Sequence, residues 1–272
     1  MAVTAAMVSQ LRTQTGLPMM DCKKALEESG GDIEAAKEVL RKAGHGRMAK
    51  FAGREAAKGR VAVHIGNGVA SIVEMRCETE PVAGTEDFVA LANAAAQVAA
   101  GMDNPTPATV LAAARPGGSG TIQEFLNEVF NKIREKMELK RVARLTGVCG
   151  SYIHFNSQNG AIVSLSGACP DEVMRDVCMH IVSIKPAYSR RDQVPAADVE
   201  RERAAFMEEA KGKPPQIAEK MVAGKLDRWF GESVLPEQPF VKDDKQSVAA
   251  YIGKSAAGVT ITDFVRFEVG AM

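Results

Sequence analysis

The chain has 272 residues, enough for more than one globular unit, and its 34 basic side chains are balanced by 34 acidic ones. It therefore lacks the basic excess that a nucleic-acid binder usually carries. Apolar residues make up 46% of the sequence, yet no apolar run is long enough to span a bilayer, and residues 1–4 have neither the basic stretch nor the long apolar stretch of a secretion signal. The expectation is a protein with real cores and no membrane, kept in the cytoplasm where it is made. Its five cysteines, Cys22, Cys77, Cys149, Cys169 and Cys178, form no Cys-x-x-Cys pair, which fits free thiols in a reducing compartment.

Residues 3–45 read as three short helices. Val8 and Leu11 share a face of the first. Pro18 is placed to start the second, whose inner face carries Met19, Cys22, Ala25 and Leu26 at helical spacing. Asp32 suits the N-cap of the third, with Ile33, Ala36, Val39 and Leu40 as its stripe and Gly44 as its end. A basic, glycine-containing connector follows over 47–59. It reads as a solvated linker that begins as helix, with a nucleic-acid contact as the sharper alternative.

The period then changes. Val61 to Ile65 and Val69 to Met75 flank Gly66-Asn67-Gly68, a strong hairpin signal. A helix is expected over 87–99. A Pro/Gly-rich break follows, and then a long helix over 121–139 with Phe125, Val129, Ile133 and Met137 at intervals of four. A second hairpin is expected from residues 151–155 and 161–165, followed by a helix over 171–185 that stops at Pro186. Hairpin-then-helix thus occurs twice, which suggests two related α+β subdomains with small antiparallel sheets. Two charged helices within 196–230, around Lys213-Pro214-Pro215, suggest a protruding helical hairpin. A short helix near 247–254 and a strand over 262–269 complete the pattern. The expected boundaries are a bundle at 1–46, the linker at 47–59, and core subdomains at 60–146 and 147–272.

Catalytic signatures are missing from the sequence. Gly117-Gly118-Ser119-Gly120 lacks the Gly-Lys-Ser/Thr ending of a phosphate cradle. There is no His-Glu-x-x-His helix and no Gly-x-Ser-x-Gly elbow. His45, His64, His154 and His180 are scattered, and Cys178 and His180 point in different directions on a helix. No catalytic residue, cofactor or metal site is assigned, and an interaction protein is favoured over an enzyme. Two stretches suggest contact surface. Met20 lies away from the inner face of its helix, either as an adaptable contact or as a cover for the bundle's end. The acidic segment Cys77-Glu78-Thr79-Glu80-Pro81-Val82-Ala83 leaves a strand, and reads by itself as a strand-to-helix turn.

Thr15-Gly16-Leu17-Pro18-Met19-Met20-Asp21-Cys22-Lys23-Lys24-Ala25-Leu26 resembles the N-terminal signature of the elongation factor Ts family. So do Glu74-Met75-Arg76-Cys77-Glu78-Thr79, Ile217-Ala218-Glu219-Lys220-Met221-Val222, Glu237-Gln238-Pro239-Phe240-Val241 and Phe264-Val265-Arg266-Phe267-Glu268-Val269-Gly270. The resemblance spans nearly the whole chain. It implies an α+β fold with a ubiquitin-associated-like N-terminal bundle, a two-subdomain core and the helical protrusion. It also implies a guanine-nucleotide exchange factor, not an enzyme, that binds elongation factor Tu in its GDP form and promotes GDP release. The runner-up is a non-exchanging peptide-binding or scaffold protein of the same fold. Partner-binding positions implied by the resemblance are Leu11, Met19, Met20, Thr79, Glu80, Pro81, Val82 and His154. No direct nucleic-acid or membrane partner is implied, and self-association is left open. Where the family usually has Thr-Asp-Phe-Val-Ala, this sequence has Thr79-Glu80-Pro81-Val82-Ala83, and a separate Asp87-Phe88 follows. The sequence ends at Met272 without the helical extension some members carry.

Overall fold

The computed structural model describes residues 2–271, apart from the side chains at 45–47 and 49. His45 and part of the basic connector therefore lie outside the described side chains. Three helices come first: α1 (Ala5–Thr15), α2 (Met19–Glu28) and α3 (Ile33–Phe51). The Met7 N–H donates to Thr4 Oγ1 at 3.3 Å to cap α1, and Gly16 ends that helix at φ +68°. Asp32 caps α3 as expected, with its Oδ1 accepting from the Ala35 N–H at 2.8 Å. Val8, Leu11, Cys22, Ala25, Leu26, Ala36 and Leu40 form the buried cluster of this bundle. Met19 does not join it and is 52% exposed. Helical side chains lean toward the N-terminus, so the first residue of α2 leans off the end of the bundle.

The first hairpin pairs β1 (Lys58–Gly66) with β2 (Val69–Cys77). Its turn holds Asn67 at φ +51° and Gly68 at φ +72°, the backbone that a two-residue hairpin loop demands. Four helices follow: α4 (Glu80–Ala83), α5 (Glu86–Ala100), α6 (Pro107–Ala112) and α7 (Ile122–Ile133). The strand β3 (Met137–Thr146) completes a sheet of order β1-β2-β3. Val73 and Met75 of β2, Phe88 and Leu91 of α5, and Phe125 and Val129 of α7 meet in its core.

Two expectations fail in this region. The helix expected over 121–139 stops at Ile133, because Arg134 turns left-handed at φ +65° and residues 137–146 enter the sheet. Met137-Glu138-Leu139-Lys140 alternates apolar with polar, and Met137 and Leu139 are both buried; that period of two is the strand signal. Nor does Gly44 end α3, which continues to Phe51. A Cβ at Gly44 would overlap the side chain of Asn131 on α7, so this glycine permits α3 and α7 to pack closely.

The second hairpin pairs β4 (Val148–Ile153) antiparallel with β5 (Asn159–Leu165), in a register running from Val148 opposite Leu165 to Ile153 opposite Gly160. Helix α8 (Asp171–Ile184) covers it, and a Cβ at Gly150 on β4 would overlap Met174 of α8. The helices α9 (Ala196–Glu209) and α10 (Pro215–Ser233) form the helical hairpin. They share a small cluster of Ala210, Ala218, Val222 and Leu226, and α9 itself contributes no fully buried residue. The ribbon of β6 (Pro239–Phe240) and β7 (Asp243–Ser247), helix α11 (Val248–Ser255) and strand β8 (Ile261–Glu268) follow. β8 completes a sheet of order β4-β5-β8. Val163, Val177, Ile181, Ile252 and Ile261 are among its core residues.

The chain divides into two units. One comprises the residues up to His64, Val73–Ala143 and those from Glu268 on; the other comprises Ile65–Ile72 and Arg144–Phe267. The mixed helix and sheet composition makes the fold α+β. No helix of the described residues is long and apolar enough to cross a membrane.

Candidate partner-binding surface

The start of α2 presents Met19 and Met20, which are 52% and 60% exposed. Pro18 sits at the N-cap, and its carbonyl accepts from the Asp21 N–H at 3.0 Å and the Cys22 N–H at 3.1 Å. Cys22 beneath is buried, and its thiol points at the Leu17 carbonyl, 3.7 Å away. The two methionines are thus long, unbranched side chains held at the end of a fixed helix, a form suited to an adaptable apolar contact. Asp21 follows directly and is ion-paired with Arg134 at the end of α7. Leu11, in contrast, is fully buried in the bundle and packs the helices together; it presents nothing to a partner.

The turn after β2 is built as firmly. The Cys77 thiol donates to the Thr79 carbonyl at 3.1 Å. Burial and the nearby Glu135 carboxylate push that thiol up to about 12, so it stays protonated and unreactive. Thr79 donates twice to the Glu135 carboxylate, from its N–H at 2.9 Å and its hydroxyl at 2.6 Å. Glu80 and Pro81 form the first turn of α4 and are exposed, with proline tolerated because a first-turn N–H needs no helical partner. Val82 and Ala83 point into the core, so Val82 supports the turn from below. Phe88 is fully buried in the same core and Asp87 pairs with Lys132 at 2.9 Å. Phe88 is thus committed to the core and Asp87 to an ion pair.

In the second unit, His154 lies just past β4. Its Nδ1 is 3.0 Å from the Tyr152 hydroxyl, and its ring lies 4.4 Å from that of Phe155. Phe155 is 89% exposed. Sequence reasoning singled out His154 and passed over Phe155, although an aromatic residue beside the polar turn Asn156-Ser157-Gln158 is itself a signal. The other conspicuous histidine, His180, is structural. Its Nδ1 accepts from the Val241 N–H at 3.2 Å, which places the ring proton on Nε2, facing Gln238 Oε1 at 2.9 Å. Burial lowers its pKa and keeps the ring neutral. Among the described residues, no group of three or more His, Cys, Asp or Glu side chains is arranged to hold a metal ion.

An exposed methionine pair, a rigid acidic turn and an exposed aromatic tip suit protein contact, and comparison with known proteins gives the family. The family model described as "Elongation factor TS" matches residues 78–271. Elongation factor Ts of Prosthecochloris aestuarii is 40% identical over 285 residues, covering 99% of both chains. The chain belongs to the elongation factor Ts family. Elongation factor Ts of Actinobacillus succinogenes is 42% identical over 270 residues, covering 98% of this chain and 91% of that one. The protein of that name from Lactiplantibacillus plantarum is 41% identical over 275 residues, covering 98% and 92%. The similarity to elongation factor Ts proteins thus includes the N-terminal bundle, which the family model does not reach.

Proposed function

We infer that this chain is a guanine-nucleotide exchange factor that binds elongation factor Tu carrying GDP and promotes GDP release during translation elongation. The observation that carries this reading is the end-to-end similarity to elongation factor Ts proteins. The exposure of Met19, Met20, Glu80 and Pro81 supports it, because these are positions where a partner can be met. Thr79 and Val82 are then the frame of the turn, and His154 with its neighbours forms a contact of the second unit. The bundle of residues 1–46 carries the methionine contact, and the core carries the others.

Exchange requires no bond chemistry, so the protein acts in the cytoplasm as a binding partner and not as an enzyme, without a cofactor of its own. The factor binds the nucleotide-free GTPase better than the GDP-bound form, and the coupling is reciprocal: GDP expels the factor as the factor expels GDP. A thousandfold faster release needs about 4 kcal/mol of barrier lowering. A few well-placed side chains in a large interface supply energies of that size.

The test is release of fluorescent GDP from the cognate elongation factor Tu, chased with excess unlabelled nucleotide, with and without the protein. Acceleration that saturates with factor concentration is expected. Tight binding with no acceleration would favour a scaffold of the same fold instead. Calorimetry on the isolated chain should show no GDP binding at micromolar concentration.

A further inference from the structure

The end of α7 belongs to neither exposed point, yet it holds both. Arg134 ends the helix at φ +65° and ψ +35°, a backbone region in which glycine is the usual residue. Its side chain makes specific use of the position. Nε donates to the Asn131 carbonyl at 2.9 Å, and Nη2 is ion-paired with Asp21. Asp21 directly follows Met20. The next residue, Glu135, accepts both hydrogen bonds from Thr79. Thr79 directly precedes Glu80-Pro81. Consecutive residues therefore grip the neighbours of the two exposed points, one each, through charged hydrogen bonds, the stronger kind. The side chains of Arg134 and Asp21 are only 32% and 22% exposed, so water screens their ion pair less than a fully exposed one.

We propose that Arg134-Glu135 is a clasp that sets the spacing between the Met19-Met20 end of α2 and the Glu80-Pro81 turn, so that both meet the GTPase together. The proposal rests on the exchange reading above. When two contact points belong to one body, the second engages at an effective concentration fixed by how well their spacing is held. A clasped pair is ordered before binding, whereas an unclasped pair must be ordered at the expense of affinity. Arg134 and Glu135 are positioning residues: they act through Asp21 and Thr79.

The experiment measures GDP release from elongation factor Tu across a range of factor concentrations. It compares the unaltered protein with Arg134→Gly, Glu135→Ala and the reversed pair Asp21→Arg with Arg134→Asp. Glycine suits the left-handed backbone, so Arg134→Gly removes the grip and keeps the chain path. The concentration giving half-maximal exchange should rise about tenfold in Arg134→Gly and in Glu135→Ala, with the rate at saturation unchanged. The reversed pair should recover most of that loss. Met20→Ala should also cost less in the Arg134→Gly background than alone, because the two points no longer act as one. A lower melting temperature with unchanged concentration dependence would make the ion pair merely structural and overturn the clasp, as would strict additivity with Met20→Ala. If the unaltered protein itself leaves GDP release unchanged, the exchange reading falls and the clasp falls with it.

Discussion

Gly44→Ala isolates the packing of α3 on α7. In an exposed helix interior, replacing glycine by alanine gains about 0.8–1 kcal/mol from backbone entropy. Here the new Cβ would overlap Nδ2, Oδ1 and Cγ of Asn131, well inside contact distance. Asn131 is buried with its Oδ1 lacking a hydrogen-bond partner, and there is little room for its side chain to move into. Overpacking of this kind costs about 1–3 kcal/mol. The balance is a net loss of about 1 kcal/mol, rising to about 2 if Asn131 cannot swing aside. For a chain of this size, each kcal/mol lowers the melting midpoint by about 2–4 °C. Urea and thermal unfolding of Gly44→Ala, Asn131→Ala and the double variant measure it. The double variant should be at least as stable as Asn131→Ala alone, since truncation empties the space the new methyl needs. A Gly44→Ala protein with a raised midpoint would show that the residue is an ordinary helical glycine and would refute the close approach.

Met20→Ala should reduce affinity for elongation factor Tu by about 1–2 kcal/mol while leaving the melting midpoint in place, since the side chain is mostly exposed; paired titration and melting check both. Pro81→Phe should speed GDP release in stopped-flow measurements, because an exposed ring at the head of α4 offers apolar area worth up to about 1.5–3 kcal/mol when buried. Slower release would mean that the partner's surface is shaped to the proline. His180 gives a pH dependence. Its folded pKa lies below the ordinary value of about 6.5, so the unfolded chain binds more protons between the two values. The stability it contributes is complete above the ordinary value and is lost as pH falls through that window. The stability difference between the unaltered protein and His180→Asn should therefore shrink from pH 7.5 to pH 5, as measured by urea unfolding.

The features legible in the sequence are those fixed by local chemistry. Asn67-Gly68 announces its hairpin because both residues must adopt positive φ, and Asp32 announces α3 because its side chain caps its own helix. The misreadings have remote causes. Gly44 resembles a stop signal until Asn131, far along the chain, is seen against it. Met137 continues the four-residue spacing of α7, but the chain has already turned at Arg134, whose left-handed backbone nothing in its side chain advertises. At the candidate contact surface, Met20 and the turn over 77–83 stand out by spacing and composition. The Asp21–Arg134 pair did not, because its members are 113 residues apart. Asp87-Phe88 resembles a spare contact in the sequence, and only the structure shows Phe88 buried in the core and Asp87 paired with Lys132.

The late arrival of β8 bears on how the protein is made. β5 is the middle strand of its sheet, and its second neighbour comes from residues 261–268. The first unit also waits for the same stretch: the Glu268 carbonyl accepts from Arg141 at 2.9 Å, and the Gly270 N–H donates to Glu74 at 3.1 Å. On the ribosome, β5 therefore emerges with one edge unpaired while roughly a hundred further residues are added, on the order of 5–20 s at ordinary synthesis rates. An open strand edge beside apolar residues invites pairing with other nascent chains. Slow codons placed between β5 and β8 should lower the soluble yield, so that a protein assigned to translation elongation depends, for its own supply, on elongation not stalling there.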